Sequence, residues 1–355
     1  MDSRVGVALL FGGRSAEHEV SISSARAVYN NLDPARYRIT CLFIDKAGRW
    51  RQVPSPHLDA DALSRGLFHS FLAWDSPGRG LPSKADIFWP VLHGPYGEDG
   101  TIQGLLELAD VPYVGAGVLG SAAGMDKAVM KDLFRRHGLP IVPHVAFGEA
   151  EWRRSPKNIL RRIRATAKPP IFVKPANLGS SVGITKVKEW PALGPAIETA
   201  LLYDRKAVVE QGVDCRELEC AVLGNDDPEA SPPAEIIPSG EFYTYADKYL
   251  DGKTGFVIPA KLPAAVEARV RRFAVEAFRA CEGAGLARVD FFLEKGTRRL
   301  FVNEINSIPG FTEISMYPKL WAAAGIPFPR LVDRLIELGF ERHRAKKRRV
   351  DRASR

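Results

Sequence analysis

The 355-residue chain concentrates side chains suited to phosphate and metal binding in two short segments. In the first, the β-rich run Ile171-Phe-Val-Lys174 ends on a lysine and enters a loop of small residues, Pro175-Ala-Asn-Leu-Gly-Ser-Ser-Val-Gly183. Backbone N–H groups of such a loop can come close to phosphate oxygens, with the lysine supplying charge. A flexible surface turn has much the same composition. The Walker A pattern GxxxxGK[ST] is absent.

The second segment pairs Arg288-Val-Asp290 with Asn303-Glu-Ile-Asn306 across the turn-forming Glu294-Lys-Gly-Thr-Arg-Arg299. Residues two apart in a strand share a face. A hairpin with a short odd-length loop centred on Thr297 therefore sets Asp290 opposite Glu304 and Arg288 opposite Asn306, all on one face. Two carboxylates and an amide oxygen suit Mg²⁺, a hard cation that completes its octahedron with phosphates and water. An arginine beside them can stabilise a developing oxyanion. The same residues would also serve as the solvated face of an amphipathic hairpin. Ser307-Ile-Pro-Gly310 follows at once, and a glycine there offers its N–H with no side chain in the way.

Hydrophobic patterning predicts the elements that must carry these groups. Over residues 4–118 it gives a strand at 4–11, a Gly12-Gly13 turn, a helix near 16–31, strands at 37–44 and 86–92, a helix near 100–109 and a strand at 112–114. That alternation implies an α/β unit with a parallel sheet. Residues 51–84, rich in Pro, Gly and Ser, predict little regular structure. Beyond them come a helix from Met125 to His137 closed by Gly138, the strand into the Lys174 loop, and strands at 207–210 and 217–224. A turn-rich connection spans Asn225–Pro233, a long helix covers 263–284, and the hairpin closes the set.

Length suits two or three domains of about 100–150 residues each, and 45% apolar composition is enough to bury a core in each. The formal charge of +8 would suggest a nucleic-acid partner were it spread over the surface. Residues 341–355 carry eight Lys/Arg and two acids, a net +6, leaving +2 for residues 1–340. The body is therefore near neutral, no nucleic-acid or membrane partner is expected, and the basic tail reads as disordered. Four cysteines without a CxxC pair fit reduced thiols in a cytosol. The apolar opening lacks a basic lead-in and is too short to span a bilayer, so a cytoplasmic protein is expected.

Longer matches then point to a family. His93-Gly-Pro-Tyr-Gly-Glu-Asp-Gly-Thr-Ile-Gln-Gly104, and Leu286-Ala-Arg-Val-Asp-Phe-Phe through Asn303-Glu-Ile-Asn-Ser-Ile-Pro-Gly310, resemble the two signatures of the D-alanine–D-alanine ligases. Gly12-Gly-Arg-Ser-Ala-Glu-His-Glu-Val-Ser21, Met125-Asp-Lys127, the Lys174 loop and Glu241-Phe-Tyr-Thr-Tyr-Ala-Asp-Lys-Tyr249 agree, so the resemblance covers roughly residues 4–340.

The resemblance implies a three-domain ATP-grasp fold, α/β and α+β, with an N-terminal parallel-sheet domain. Its domains would be residues 1–120, 121–213 and 214–340, with 341–355 as the basic tail. It also implies ATP-dependent joining of two D-alanines through a D-alanyl phosphate, for peptidoglycan precursors, in a homodimer.

Roles carry over residue by residue. The resemblance puts Lys127, Lys174 and Ser181 at the nucleotide phosphates, and Lys248 on a lid over the γ-phosphoryl group. Glu210 and Glu217 match acids at adenine and ribose. Asp290, Glu304 and Asn306 would hold two Mg²⁺ or Mn²⁺ ions. Glu17 matches the partner of the first D-alanine's ammonium group, linked to Ser180 and Tyr249, and His93 lies beside that substrate's carboxylate. Arg288 and the Gly310 N–H match the oxyanion hole, and Ser315 and Met316 the dock for the second carboxylate.

Residue by residue, plainer readings exist. Glu17 could be a helix N-terminal acid favoured by the macrodipole, His93 a satisfied structural histidine, and 241–256 an ordinary packed loop rather than a lid that excludes water. Thr244 and Asp247 depart from the family's usual Asp and Ala, which bears on lid closure. Tyr249 favours an amine acceptor over the hydroxyl of D-lactate. A catalytically dead nucleotide-binding module is disfavoured by the intact Arg288 and metal carboxylates, and a dinucleotide-dependent oxidoreductase by the lack of GxGxxG.

Overall fold

A computed structural model describes residues 3–59, 62–63, 67–68, 85–237 and 255–353. Thr244, Asp247, Lys248, Tyr249 and nearly all of the expected 241–256 lid lie outside the described residues.

The apolar opening forms β1 (Val5–Gly12), whose residues from Gly6 onward are buried, as an unbroken apolar run requires of a central parallel strand. It pairs in parallel with β2 (Tyr37–Ile44) and β5 (Ile87–Pro90). Two antiparallel strands, β3 (Trp50–Val53) and β4 (Leu67–Phe68), extend the edge in the order β4-β3-β2-β1-β5. The expectation of little regular structure over 51–84 is thus corrected at its start, where Val53 pairs with Cys41 and buries against the same core. The strand expected at 112–114 is a single bridge between Phe88 and Tyr113.

Helix α1 (His18–Asn31) follows β1, and α2 (Thr101–Leu108) follows the His93 segment. The helix expected from Met125 to His137 is two, α3 (Val118–Met125) and α4 (Lys127–Arg136). Asp126 parts them by taking extended backbone, and its Oδ1 accepts the N–H groups of Ala128 (3.0 Å) and Val129 (3.1 Å). An aspartate N-cap satisfies orphan donors that would otherwise have to extend the preceding helix.

The central sheet is antiparallel, in the order β6 (His144–Gly148), β9 (Lys206–Gln211), β7 (Ile171–Pro175), β8 (Thr185–Val187). Helices α5 (Pro156–Thr166) and α6 (Leu193–Leu201) cover it, burying Ile159, Ile163 and Ile197 against Ile171, Val173 and Val209.

The third sheet runs β13 (Gly255–Val257), β12 (Ala234–Ile237), β10 (Cys215–Gly224), β14 (Gly285–Glu294), β15 (Leu300–Asn306), with β11 (Glu229–Ala230) also on β10. Helix α7 (Ala264–Ala280) packs Val270, Ala274 and Phe278 on its apolar face. The β14/β15 hairpin reaches the expected pairing by an unexpected route. Leu293 pairs with Leu300 and the Glu294 N–H donates to the Arg299 carbonyl, a register that would place Asp290 opposite Asn303. Asn303 instead bulges out, and the extra residue sets Asp290 opposite Glu304 and Arg288 opposite Asn306.

Helices α8 (Met316–Ala323) and α9 (Phe328–Ala353) complete the chain. The expected disordered tail is corrected, because α9 continues through it to Ala353. The Arg342 guanidinium stacks 4.0 Å from the Tyr113 ring centroid and lies 3.2 Å from Glu107, to which Lys346 also donates. These contacts give the segment partners that composition cannot reveal. Upstream, Leu331 and Leu335 of α9 bury with Val7 and Leu9 of the first sheet and Leu286 of the third, so one core joins the two.

Candidate active site

A cleft of about 560 Å³ lies between the central and third sheets. Lys127, Lys174, Ser180, Ser181, Glu210 and Glu217 line it, together with Asp290 and Glu304. Phe172, Ile236 and Phe292 add apolar surface, the mixture expected of a pocket for a planar base attached to a charged chain. The two segments singled out in the sequence therefore face one space.

On the central side, β7 delivers Lys174 into the interior, where its ammonium lies 2.7 Å from Glu210 Oε2. Burial alone would lower the Lys174 pKa, but Glu210 and Glu304 raise it on balance, so it stays charged. Beyond Lys174, Ser180 and Ser181 adopt left-handed φ values of 50° and 59°, turning the loop sharply. Lys127 opens α4, with its N–H on the Ala176 carbonyl (3.0 Å), Nζ donating to the Leu178 carbonyl (2.6 Å) and Glu304 Oε2 at 3.8 Å. It thereby bridges the loop and the hairpin.

On the hairpin side, Glu219 of β10, Asp290 of β14 and Glu304 of β15 pair in register and form a row of carboxylates across three strands. Like charges side by side destabilise a sheet unless cations accompany them. Arg288 supplies one, donating Nε and Nη2 to the two Asp290 oxygens at 2.7 Å each, with Glu219 at 3.2 Å. Burial works against the Arg288 charge, yet Asp290 and Glu219 push its pKa well above the usual value. Asn306 donates to Asp290 Oδ2 at 3.1 Å.

This donor set fits a divalent cation: hard oxygen ligands in a row with excess negative charge, open to the cleft where phosphate oxygens would complete the shell. Among the described residues no group of three His, Cys, Asp or Glu converges on one point, so a cation here would draw on Asp290, Glu304 and an amide such as Asn306, with the nucleotide completing its shell. A cation held by Asp290 would compete with Arg288 for its oxygens.

Glu17 sits at the N-cap of α1, yet its carboxylate makes no capping bond. It turns instead to the Lys174 loop, accepting the Ser180 hydroxyl. Space for it comes from two glycines: a Cβ on Gly94 would lie 2.8 Å from Glu17 Oε2, and one on Gly179 would lie 3.1 Å away. The macrodipole reading does not account for a carboxylate aimed away from its helix.

His93 is a satisfied residue here. Its Nδ1 lies 3.0 Å from the Ile308 carbonyl, fixing the proton there, so Nε2 accepts from Ser24 at 3.0 Å. Burial lowers its pKa against the pull of Glu17, which keeps the ring neutral. Ser24 accepts the Phe311 N–H at 3.2 Å, so His93 fastens the segment around Gly310 to α1. Both ring nitrogens are thereby occupied.

Near Gly310, the Ser315 hydroxyl accepts the Thr312 N–H (2.9 Å) and bonds the Thr312 hydroxyl (2.7 Å). The Met316 side chain is buried, and its N–H opens α8 directly after the Ser315 N-cap. Glu210 lines the cleft with its oxygens between Lys131 (3.0 Å) and Lys174 (2.7 Å), which drive its pKa far down despite burial.

Three functional candidates escaped sequence reasoning. Glu98 lies inside the first signature, accepts the N–H groups of Gly94 (2.8 Å) and Ile308 (3.1 Å), and is pushed up to about 8 by burial and by Glu17. Glu219 stands two residues from Glu217 on the same strand face, and Lys131 one helical turn beyond Lys127; that spacing was the available signal.

An antiparallel central sheet and an antiparallel third sheet enclosing a cleft with lysines on one side and carboxylates on the other define an ATP-grasp fold. Family models described as "D-ala D-ala ligase N-terminus" and "D-ala D-ala ligase C-terminus" match residues 6–116 and 133–337. The chain is 50% identical over 345 residues to a D-alanine–D-alanine ligase of Solibacter usitatus, covering 97% of this chain and 98% of that one. A second, from Heliobacterium modesticaldum, is 45% identical, with 96% of each covered. Among solved structures, the D-alanine–D-alanine ligase from Coxiella burnetii superimposes with a TM-score of 0.85 at 38% identity, covering 98% of this chain and 97% of that one. The VanG D-Ala:D-Ser ligase from Enterococcus faecalis gives 0.82 at 33%, covering 95% and 99%. This chain belongs to the D-alanine–D-alanine ligase family.

Proposed function

We propose that this chain joins two D-alanine molecules into D-alanyl-D-alanine, converting ATP to ADP and phosphate, for peptidoglycan precursors in the cytoplasm. The observation that carries the reading is the Ser180–Glu17 hydrogen bond, which ties the phosphate loop to the acid assigned to the substrate ammonium group. A carboxylate does not condense with an amine unaided, so ATP activates it as an acyl phosphate, and positioning and charge neutralisation then dominate.

Lys127, Lys174 and Ser181 bind the phosphates, while Glu217 meets the ribose and the apolar cleft wall the base. Glu210 holds Lys174 in place. Asp290, Glu304 and Asn306 would hold Mg²⁺ or Mn²⁺, two ions in our assignment, which when bound neutralises the phosphate charge. Glu17 binds the first ammonium group, and Arg288, released from Asp290, stabilises the oxyanion with the Gly310 N–H. Ser315 and the Met316 N–H receive the second carboxylate. Lys248 and Tyr249 are assigned to the lid. Residues 1–120, 121–213 and 214–340 serve as substrate, central and metal-site domains. A homodimer is part of the assignment, which light scattering would test.

A coupled ADP-release assay across D-alanine, D-serine and D-lactate, with products identified by mass, tests the reaction. D-alanine as the best acceptor at neutral pH is expected, and faster turnover with either of the others overturns the acceptor assignment. Among the described residues no helix is long and apolar enough to cross a membrane.

A further inference from the structure

Lys131 is the most deeply buried of the described lysines near the cleft, at 1% exposure, and it is not among the described residues that line the cleft. A cation so placed reaches no ligand, and burying one is costly unless it is paired. Its Nζ lies 3.0 Å from Glu210 Oε1, whose other oxygen holds Lys174, and donates to the carbonyl of the bulged Asn303 at 3.1 Å. One ammonium thus touches both halves of the site: the acid that holds the phosphate lysine, and the irregularity that aligns the metal carboxylates.

We infer that Lys131 is a positioning residue for ATP and metal, holding Glu210 and the Asn303 bulge so that Lys174 remains available to phosphate and Glu304 remains opposite Asp290. The inference rests on the assignment of Lys174 to the phosphates and Glu304 to the metal. Without Lys131, the buried Glu210 carboxylate keeps Lys174 as its main partner and competes with ATP for it. The Asn303 carbonyl also loses the donor that holds it at the bulge. Drawing Asn303 into the ladder restores the register set by the turn, and a one-residue slip moves Glu304 to the opposite face of the sheet.

Lys131→Met keeps an apolar stem as long as that of lysine to Cε and removes the ammonium group. ATP affinity, read by titration of the full-length protein, falls about tenfold or more, and the Mg²⁺ concentration for half-maximal rate rises, as for other groups that orient a metal site. The KM for D-alanine stays within about twofold. In the double variant Lys131→Met/Glu210→Gln the unpaired carboxylate is gone, so ATP affinity recovers while the Mg²⁺ requirement stays raised. Unchanged ATP affinity in a folded Lys131→Met protein overturns the inference, as does an equal loss in every constant without rescue. Should the single variant fail to fold, the double variant decides: a wild-type Mg²⁺ requirement there overturns the proposal. Lys174→Met separates the two levels. If it leaves ATP affinity intact, the phosphate assignment itself fails; if it weakens ATP while Lys131→Met does not, only the positioning role fails.

Discussion

Arg288 grips both oxygens of Asp290, so the arginine assigned to the oxyanion and the aspartate assigned to the metal are locked together. On the proposed assignment, a metal held by Asp290 would free the guanidinium and so couple loading of the site to its oxyanion donor.

Arg288→Lys should therefore lower kcat by about 10²-fold or more, the usual cost of losing one oxyanion donor, with ATP affinity little changed. Glu304→Gln should abolish turnover with the fold retained. Single-turnover ADP release checks both, and wild-type rates in either would remove the assigned role.

Ser180 is the hydroxyl donor to Glu17, and its φ of 50° makes glycine the clean replacement, because alanine would share the backbone strain. Ser180→Gly should raise the KM for the first D-alanine by an amount equivalent to about 1.5–3 kcal/mol, the range for a hydrogen bond to a charged group. Initial-rate kinetics at saturating ATP provide the measurement; an unchanged KM would detach Ser180 from substrate binding.

Glu98 sets a pH dependence. Burial and Glu17 raise its pKa to about 8 from the 4.5 of a free glutamate, so between those values the native state binds a proton that the unfolded state does not. Stability is then fully present below about 4.5 and falls as pH rises toward 8, at up to about 1.4 kcal/mol per pH unit from this group. Glu98→Gln should flatten that limb in denaturant titrations from pH 5 to pH 9. A slope equal to wild type would mean that Glu98 is ionised throughout.

Truncation after Glu341 removes Arg342 stacked on Tyr113 and Lys346 on Glu107. A partly desolvated cation–π contact and two outlying ion pairs suggest a loss of about 1–2 kcal/mol, visible as a lower Tm with kcat retained. An identical Tm would show that the basic segment adds nothing to the fold.

Sequence by itself determined most elements and the whole family assignment, because β1 and β7 are apolar runs bounded by turns, the hairpin strands alternate, and the two signatures are long. It also placed Lys174, Asp290 and Glu304 correctly as neighbours of one cleft. Local pattern is blind to partners distant in the chain, and there the tertiary structure decided. The bond that holds His93 to Ile308 depends on a segment more than two hundred residues away. The place of Glu210 between two lysines depends on α4 packing against β7 and β9. The basic tail is ordered as helix by Tyr113 and Glu107, not by its own composition. Even the hairpin register, predicted from a symmetric turn, is set by the bulge at Asn303, whose carbonyl is held by Lys131.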